Sequence, residues 1–324
     1  MPNPDVVLFS AGNQGSLMGS FPNYKTHIGS TAAAKNSITV GATKSTGGAL
    51  GGDILYIPPI PSVFIPPTAD PTKLADFSSR GPTAERRNKP DVVAPGAAIL
   101  SAASQDLKIT TESPPDPFWK FSSGTSMSTP LVAGVCAVLR EALLHRQKQP
   151  EPSAALVKAL LTNGAEILPV LSQYEQGFGR VNMVSSLLPI EPRPGIVASF
   201  ADVGTSPGTK KLKEGETWPL KIEIPAAFSK DALVKVTLVY TDRFGPAIQN
   251  KLSLHVRATK TDGKTEQPQR VDYPVDNNVE QLVLNARQLG GLSKVDVAVT
   301  ADRITRLDDV QGFAVVWRVV KGVV

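Results

Sequence analysis

The apolar residues of this 324-residue chain change their period near residue 190. C-terminal to that point they alternate. WPLKIEI places Trp218, Leu220, Ile222 and Ile224 on one face, and LVKVTLVY does the same with Val234, Val236, Leu238 and Tyr240. KVDVAVT repeats the pattern with Val295, Val297 and Val299, and GFAVVWRVV with Phe313, Val315, Trp317 and Val319. A period of two over short runs separated by turn residues marks antiparallel strands with one buried face. Residues 196–324 are therefore expected to form an antiparallel β-sandwich or jelly roll. N-terminal to the change the apolar runs are unbroken: DVVLFSA (5–11), SITVGAT (37–43) and PDVVAPG (90–96). Such runs read as buried strands that deliver loops at their C-terminal ends. Two helical stretches follow, at about 126–147 and 153–163, the second with Ser153 as N-cap and a stop at Asn163-Gly164. Strands mixed with helices predict an α/β layer with a mostly parallel sheet over 1–188. The prolines of PIEPRP place a linker at 189–195. Residues 44–76, rich in Gly and Pro, are expected to be a surface excursion, because prolines exclude a central strand.

Composition narrows the partners. Hydrophobic residues make up 41% and charged residues 19%, a globular balance. There is no uninterrupted run of about 18 apolar residues, so no membrane partner is expected. The N-terminal MPNPDVVLFSAGN has neither the basic nor the long apolar region of a signal peptide. The net charge is +5, but its densest clusters, ERRNK (85–89) and HRQK (145–148), lack interleaved aromatics. They read as solvated helix ends and turns, and no nucleic acid partner is expected. The single cysteine, Cys136, lies among Leu131, Val132, Val135, Val138 and Leu139 and reads as a buried small hydrophobe.

The chemistry centres on GTSMSTP, residues 124–130. Ser126 stands at the start of an apolar helix, where unpaired N–H groups and the positive end of the helix dipole suit a developing oxyanion. Alone, the same serine reads first as an ordinary N-cap. Asn13, in the glycine-flanked loop SAGNQG, has an amide that can donate to the same oxyanion. Six blocks occur in order: SAGNQG (10–15), AAAKNSITVGAT (32–43), FSSRGPT (77–83), KPDVVAPGAAILSA (89–102), GTSMSTPLVAG (124–134) and GFGRVN (177–182). In these the chain resembles the subtilisin family of serine endopeptidases. The resemblance implies a partial subtilisin-like catalytic domain acting on polypeptide substrates, with Ser126 as nucleophile and Asn13 as side-chain donor of the oxyanion hole. It further implies that Ser10, Ala11 and Gly12 line the primary specificity pocket, and that Gly124 and Thr125 also contact substrate. VYTD (239–242), NKLSL (250–254) and NNVEQ (277–281) resemble the C-terminal jelly roll of larger subtilisins. There, Lys251 and Ser253 stand in place of two aspartates, which argues against calcium, since a hard cation needs acidic oxygens. Asp242, Asp276 and Asn277 remain as oxygen donors but read first as turn and strand-end residues. No cofactor or metal site is expected.

The general base is the missing part. In the family, an aspartate and a His-Gly-Thr-His block precede the strand that leads to the Asn loop. Here that strand starts at residue 5, and neither block occurs in the sequence. His145 lies 19 residues beyond Ser126 on one helix, about 28 Å away. His255 shares the outward face of its strand with Ser253 and Arg257. His27 falls in a loop near Asn13, but no carboxylate stands nearby in sequence to orient it. The expectation is the C-terminal portion of a subtilisin-type serine endopeptidase, nearly inactive alone, whose partner is the N-terminal half of the catalytic domain, encoded upstream or in another chain. A full-length member is expected to be extracellular by family habit. The rival expectation is a non-catalytic pseudoprotease or peptide-binding fragment.

Overall fold

The computed structural model describes residues 5–15, 27–46, 53–57, 60–65, 70–104, 118–149, 151–206, 208–267, 269–270 and 277–321. The strands are β1 (Leu8–Ser10), β2 (Ile38–Thr43), β3 (Asp53–Ile57), β4 (Ile60–Ile65), β5 (Val92–Pro95), β6 (Ile99–Ala102), β7 (Trp119–Ser122), β8 (Val197–Val203), β9 (Thr217–Glu223), β10 (Ala232–Val239), β11 (Lys251–Thr259), β12 (Gln269–Arg270), β13 (Val279–Asn285), β14 (Lys294–Arg303) and β15 (Phe313–Lys321). The helices are α1 (Thr125–Arg146), α2 (Ala154–Gly164), α3 (Gln173–Gln176), α4 (Met183–Leu187) and α5 (Ala286–Leu289). The chain forms two compact units, one of residues 7–134 and 166–181 and one of 1–6, 135–165 and 182–324. The expected linker, 189–195, lies inside the second unit, which also takes in α2 and α4.

In the first unit, β1, β2 and β5 form a parallel sheet in the order β1-β2-β5. All six residues of β2 are buried, as an unbroken apolar run predicts for an inner parallel strand. The KPD segment ties β5 to β2. Asp91 accepts from the Thr39 N–H at 2.7 Å and from Lys89 Nζ at 2.5 Å, and Lys89 Nζ donates to the Ser37 carbonyl at 2.9 Å. This buried ion pair is held by backbone groups, so neither charge is left unsatisfied. The run DVVLFSA is shorter as a strand than its apolar stretch, since only Leu8–Ser10 pairs. Within 44–76, β3 and β4 form a two-stranded antiparallel hairpin, in keeping with an excursion rather than a central strand. The β6–β7 hairpin was not evident from the sequence pattern.

The second unit contains two four-stranded antiparallel sheets, β13-β10-β15-β8 and β12-β11-β14-β9. They enclose one core that includes Ile222, Val234, Val236, Leu238, Tyr240, Val295, Val297, Val299, Phe313, Val315 and Val319, with Trp218 and Trp317 packed against it. The alternation read from the sequence therefore gives the correct inward faces. Helix α2 packs on β10 and β15, covering the outer face of their sheet. As expected, Ser153 caps it, its Oγ accepting from the Leu156 N–H at 3.0 Å. Asn163 Nδ2 joins helix to sheet, donating to Thr237 Oγ1 at 3.0 Å and the Val316 carbonyl at 3.1 Å. Cys136 is buried, and burial pushes its thiol pKa up to about 12, so it is an inert core residue.

One reading of the β11 region needs adjustment. Ser253 is buried and donates to Asp302, so it does not share an exposed face with Arg257. Lys251 is not an isolated cation: its Nζ lies 2.9 Å from Glu280 Oε1, and Glu280 Oε2 accepts from the Leu254 N–H at 2.7 Å. Asp242 closes a turn by accepting from the N–H groups of Gln249 and Asn250, both at 2.8 Å. Asp276 lies outside the described residues.

Glu280 is fully buried, so Glu280→Gln, which removes the negative charge facing Lys251, is expected to cost about 3–5 kcal/mol in urea unfolding. Replacing both partners with apolar residues of similar volume is expected to recover most of that loss.

Candidate active site

The loop after β1 and the start of α1 meet through one side chain. The Thr125 N–H donates to Asn13 Oδ1 at 2.9 Å, and Thr125 Oγ1 donates to the same oxygen at 3.0 Å. A backbone N–H can only donate, so the atom it meets is the amide oxygen, which fixes the orientation of the Asn13 carboxamide. Thr125 Oγ1 in turn accepts from the Gly12 N–H at 3.2 Å. One hydroxyl therefore links Gly12, Asn13 and the helix start.

The loop itself is braced from the FSSRGP block. Ser79 N–H donates to the Gly12 carbonyl at 2.9 Å, Ser79 Oγ donates to Gln14 Oε1 at 2.9 Å, and Gly15 N–H donates to the Phe77 carbonyl at 2.8 Å. Gly12 has φ +110°, and a Cβ there would stand 2.5 Å from Gln14 Oε1 and 2.8 Å from Ser79 Oγ. Only glycine fits that backbone and that approach.

At the helix start, Asn13 reaches from a distant loop to satisfy the first N–H of α1. Residue 124, at the N-cap position, is glycine and offers no side-chain acceptor to the following N–H groups. The Met127 N–H is taken by the Gly124 carbonyl at 3.0 Å. Ser126, in the first turn and exposed, keeps its N–H at the positive end of the 22-residue helix. The point where a Cβ on Gly124 would sit lies 3.3 Å from Asn13 Nδ2 and 3.7 Å from the Ser126 nitrogen. Asn13 Nδ2, the Ser126 nitrogen and Met127 Sδ thus surround one small space at the helix start, and two nitrogen donors there can stabilise negative charge on a carbonyl oxygen. Pro130 lies inside α1 and has no N–H to give the Ser126 carbonyl, while Ser128 Oγ and Thr129 Oγ1 both donate to the Thr125 carbonyl, at 2.9 and 2.8 Å.

Ser10 and Ala11 lead into this loop. The Ala11 N–H donates to the Val40 carbonyl at 2.9 Å, and the Ala11 carbonyl accepts from the Gly29 N–H at 3.0 Å. The structure thus brings Gly12, Asn13, Gly124, Thr125 and Ser126 together, with Ser10 and Ala11 on the adjoining strand. Sequence reasoning missed Ser79 and Gln14 as the brace of the Asn13 loop; the adjacency of Gln14 to Asn13 was the only signal.

None of the three histidines is built as the partner of Ser126. His145 is exposed at the far end of α1. His255 lies on β11, opposite Ala298 and Arg270. His27 is near the loop, its N–H donating to the Arg80 carbonyl at 3.2 Å. Burial, and then the positive charge of Arg80, hold its pKa below the ordinary histidine value. A general base must be stabilised when it takes a proton, and these surroundings do the reverse. Among the described residues, no group of three or more His, Cys, Asp or Glu is placed to hold a metal ion.

A sequence model of the Subtilase family matches residues 5–181, more than half of the chain. The serine protease AprX of Bacillus subtilis is 32% identical over 185 residues, an alignment covering 56% of this chain and 35% of AprX. Pyrolysin of Pyrococcus furiosus is 32% identical over 194 residues, covering 56% of this chain and 12% of pyrolysin. The chain thus spans about a third or less of the length of these curated relatives. Among solved structures, the prenylagaramide maturation protease PagA aligns at 21% identity with a TM-score of 0.37, over 57% of this chain and 50% of PagA.

Thr125→Val removes the hydroxyl shared by Gly12 and Asn13 and is expected to lower stability by about 1–2 kcal/mol, whereas Thr125→Ser keeps both bonds and stays within about 0.5 kcal/mol. Thermal unfolding of the two variants beside the parent checks this.

Proposed function

Because this chain belongs to the subtilase family, we propose that it carries the nucleophile and oxyanion half of a serine endopeptidase site. The observation that carries the reading is the space beside Ser126, flanked by Asn13 Nδ2 and the Ser126 N–H. In the complete site, Ser126 Oγ bonds to the peptide carbonyl carbon while its proton passes to a base. The carbonyl oxygen becomes an oxyanion held by the two donors. The base then protonates the leaving amine, and water releases the acyl group by the same steps in reverse. The substrate is a polypeptide lying along Ser10, Ala11 and Gly12, with Gly124 and Thr125 beside it. The names of AprX and pyrolysin's fellow relatives, serine protease and subtilisin-like protease, support that class.

The base and its orienting carboxylate are proposed to come from a polypeptide segment outside these 324 residues, whether of the same or of another chain. Two features support such a partner. Among the described residues β1 pairs only with β2, and Val7 beside it is exposed. The middle of helix α1, residues 131–139, is apolar, yet Leu131 and Val138 are exposed and a Cβ on Gly134 would meet nothing within 4 Å. The C-terminal sandwich is assigned to the jelly-roll class. Its strand order, β8-β15-β10-β13 and β9-β14-β11-β12, supports that assignment, because successive strands other than the adjacent pair β11–β12 pass from sheet to sheet as two Greek keys require. No metal is proposed, since Asp242 already accepts two backbone N–H bonds and Lys251 is paired with Glu280.

The test is hydrolysis of an unfolded polypeptide by the chain alone and by the chain mixed with a segment bearing the aspartate and His-Gly-Thr-His blocks. Alone, turnover is expected about 10⁶-fold below the complete site, the scale known from subtilisin itself. With the segment, activity is expected to appear, to vanish in Ser126→Ala, and to fall by about 10²–10³ in Asn13→Ala, again a subtilisin magnitude. Full activity of the chain alone, or activity indifferent to Ser126, would overturn the proposal.

A further inference from the structure

Helix α2 is gripped at both ends by buried charges from the sheet beneath it. At its start, Asp202 of β8 accepts from Ser153 Oγ at 2.7 Å, from the Ser153 N–H at 3.0 Å and from Gln149 Nε2 at 2.9 Å. At its end, Lys235 Nζ of β10 donates to the Ala165 carbonyl at 2.8 Å. Asp202 is 2% exposed and Lys235 4%. An anion at the N-terminus and a cation at the C-terminus match the helix dipole. Yet the two ends differ. Asp202 has three donors, whereas Lys235 stands directly across the strand pair from Arg318, which is 8% exposed. Like charges facing one another across a sheet repel. From α2, Lys158 is also buried; β13 contributes Val283 and Gln281; and Arg287 of α5 is exposed. Glu280 lies on the opposite face, paired with Lys251. Asp202 is engaged at the other end of the helix, and Glu166, which follows Ala165, pairs with Arg180.

We propose that α2 is held on its sheet by a pH-sensitive clasp, closed when Lys235 is a neutral amine and loosened when it is an ammonium. The neutral amine still donates to the Ala165 carbonyl but no longer repels Arg318 or requires solvation. Burial, and then Arg318, lower the Lys235 pKa from 10.5 to about 7. Between those values the unfolded chain binds more protons than the folded one, so stability rises with pH from about 7 upward and is flat in this respect below it. Asp202, whose pKa burial raises, titrates in the opposite sense on the acid side. Cys136, raised by burial, opposes only above its ordinary value of 9.0. The interval from pH 7 to 9 therefore isolates Lys235 among the resolved shifts.

Hydrogen exchange of the α2 amides in the full chain, corrected for intrinsic rates, tests the clasp. Protection is expected to rise by up to about tenfold per pH unit between pH 7 and 9 and to level off below pH 7. Lys235→Met is expected to be more protected at pH 6 and to lose the slope. Arg318→Met, which keeps Lys235, is expected to shift the rising limb to higher pH, and serves if Lys235→Met does not fold. Parallel profiles in parent and Lys235→Met, or an unshifted limb in Arg318→Met, would overturn the proposal.

Discussion

The candidate site depends on one oxygen atom. Asn13 Oδ1 accepts both the N–H and the hydroxyl of Thr125, 112 residues away in sequence. Each bond is worth only about 1 kcal/mol net, but together they set the direction of the Asn13 amide and the first turn of α1 at once. Without them, the Nδ2 group would have no reason to share a space with the Ser126 N–H. The rest of the loop serves that contact: glycine at 12 admits Gln14 and Ser79, and glycine at 124 leaves the space itself open. Preorganisation of this kind gives electrostatic stabilisation its value, because the donors need not move when charge develops.

The second unit is stabilised in another way. Its core is apolar and contributed by both sheets, but the outer face of one sheet is polar and still buried, because α2 lies on it. Thr237 Oγ1 accepts from Asn163 Nδ2 and Gln281 Nε2, and Lys235 Nζ donates to the Ala165 carbonyl at the helix end. Apolar packing gives the sandwich its stability; these polar contacts fix where the helix sits.

Much of this was legible in the sequence. Period-two alternation gave the inward residues of β9, β10, β14 and β15, because a strand has only two faces. Ser153 marked the start of α2 through ordinary capping chemistry, and the helix does end at Gly164, but that glycine serves a close approach to Ser186 rather than a left-handed cap, which Ala165 replaces in extended geometry. Six ordered blocks gave the residues around Ser126 and Asn13, as well as the family. Alternation cannot say, however, whether the other face meets water. It leaves Lys235 and Arg318 on the face away from the core without showing that they are buried there, and Ser253 read as exposed although Asp302 and burial claim it. The hairpin β6–β7 was missed because ILSA and WKFS are short and separated by a long insertion, so neither carries a period of its own. The brace from Ser79 to Gln14 spans 65 residues, and nothing local announces it.

The central claim is that the oxyanion half of the site is formed while the base is not supplied by these residues. The most direct measurement is the rate at which a fluorophosphonate labels Ser126 as free imidazole is added to the purified chain. Labelling is expected to be at background without imidazole and to rise with its concentration, with the modified peptide mapping to Ser126. Rapid labelling without any added base would contradict the account by showing that the chain has a base of its own. Labelling that stays at background at every imidazole concentration would contradict it by showing that Ser126 and its donors are not assembled.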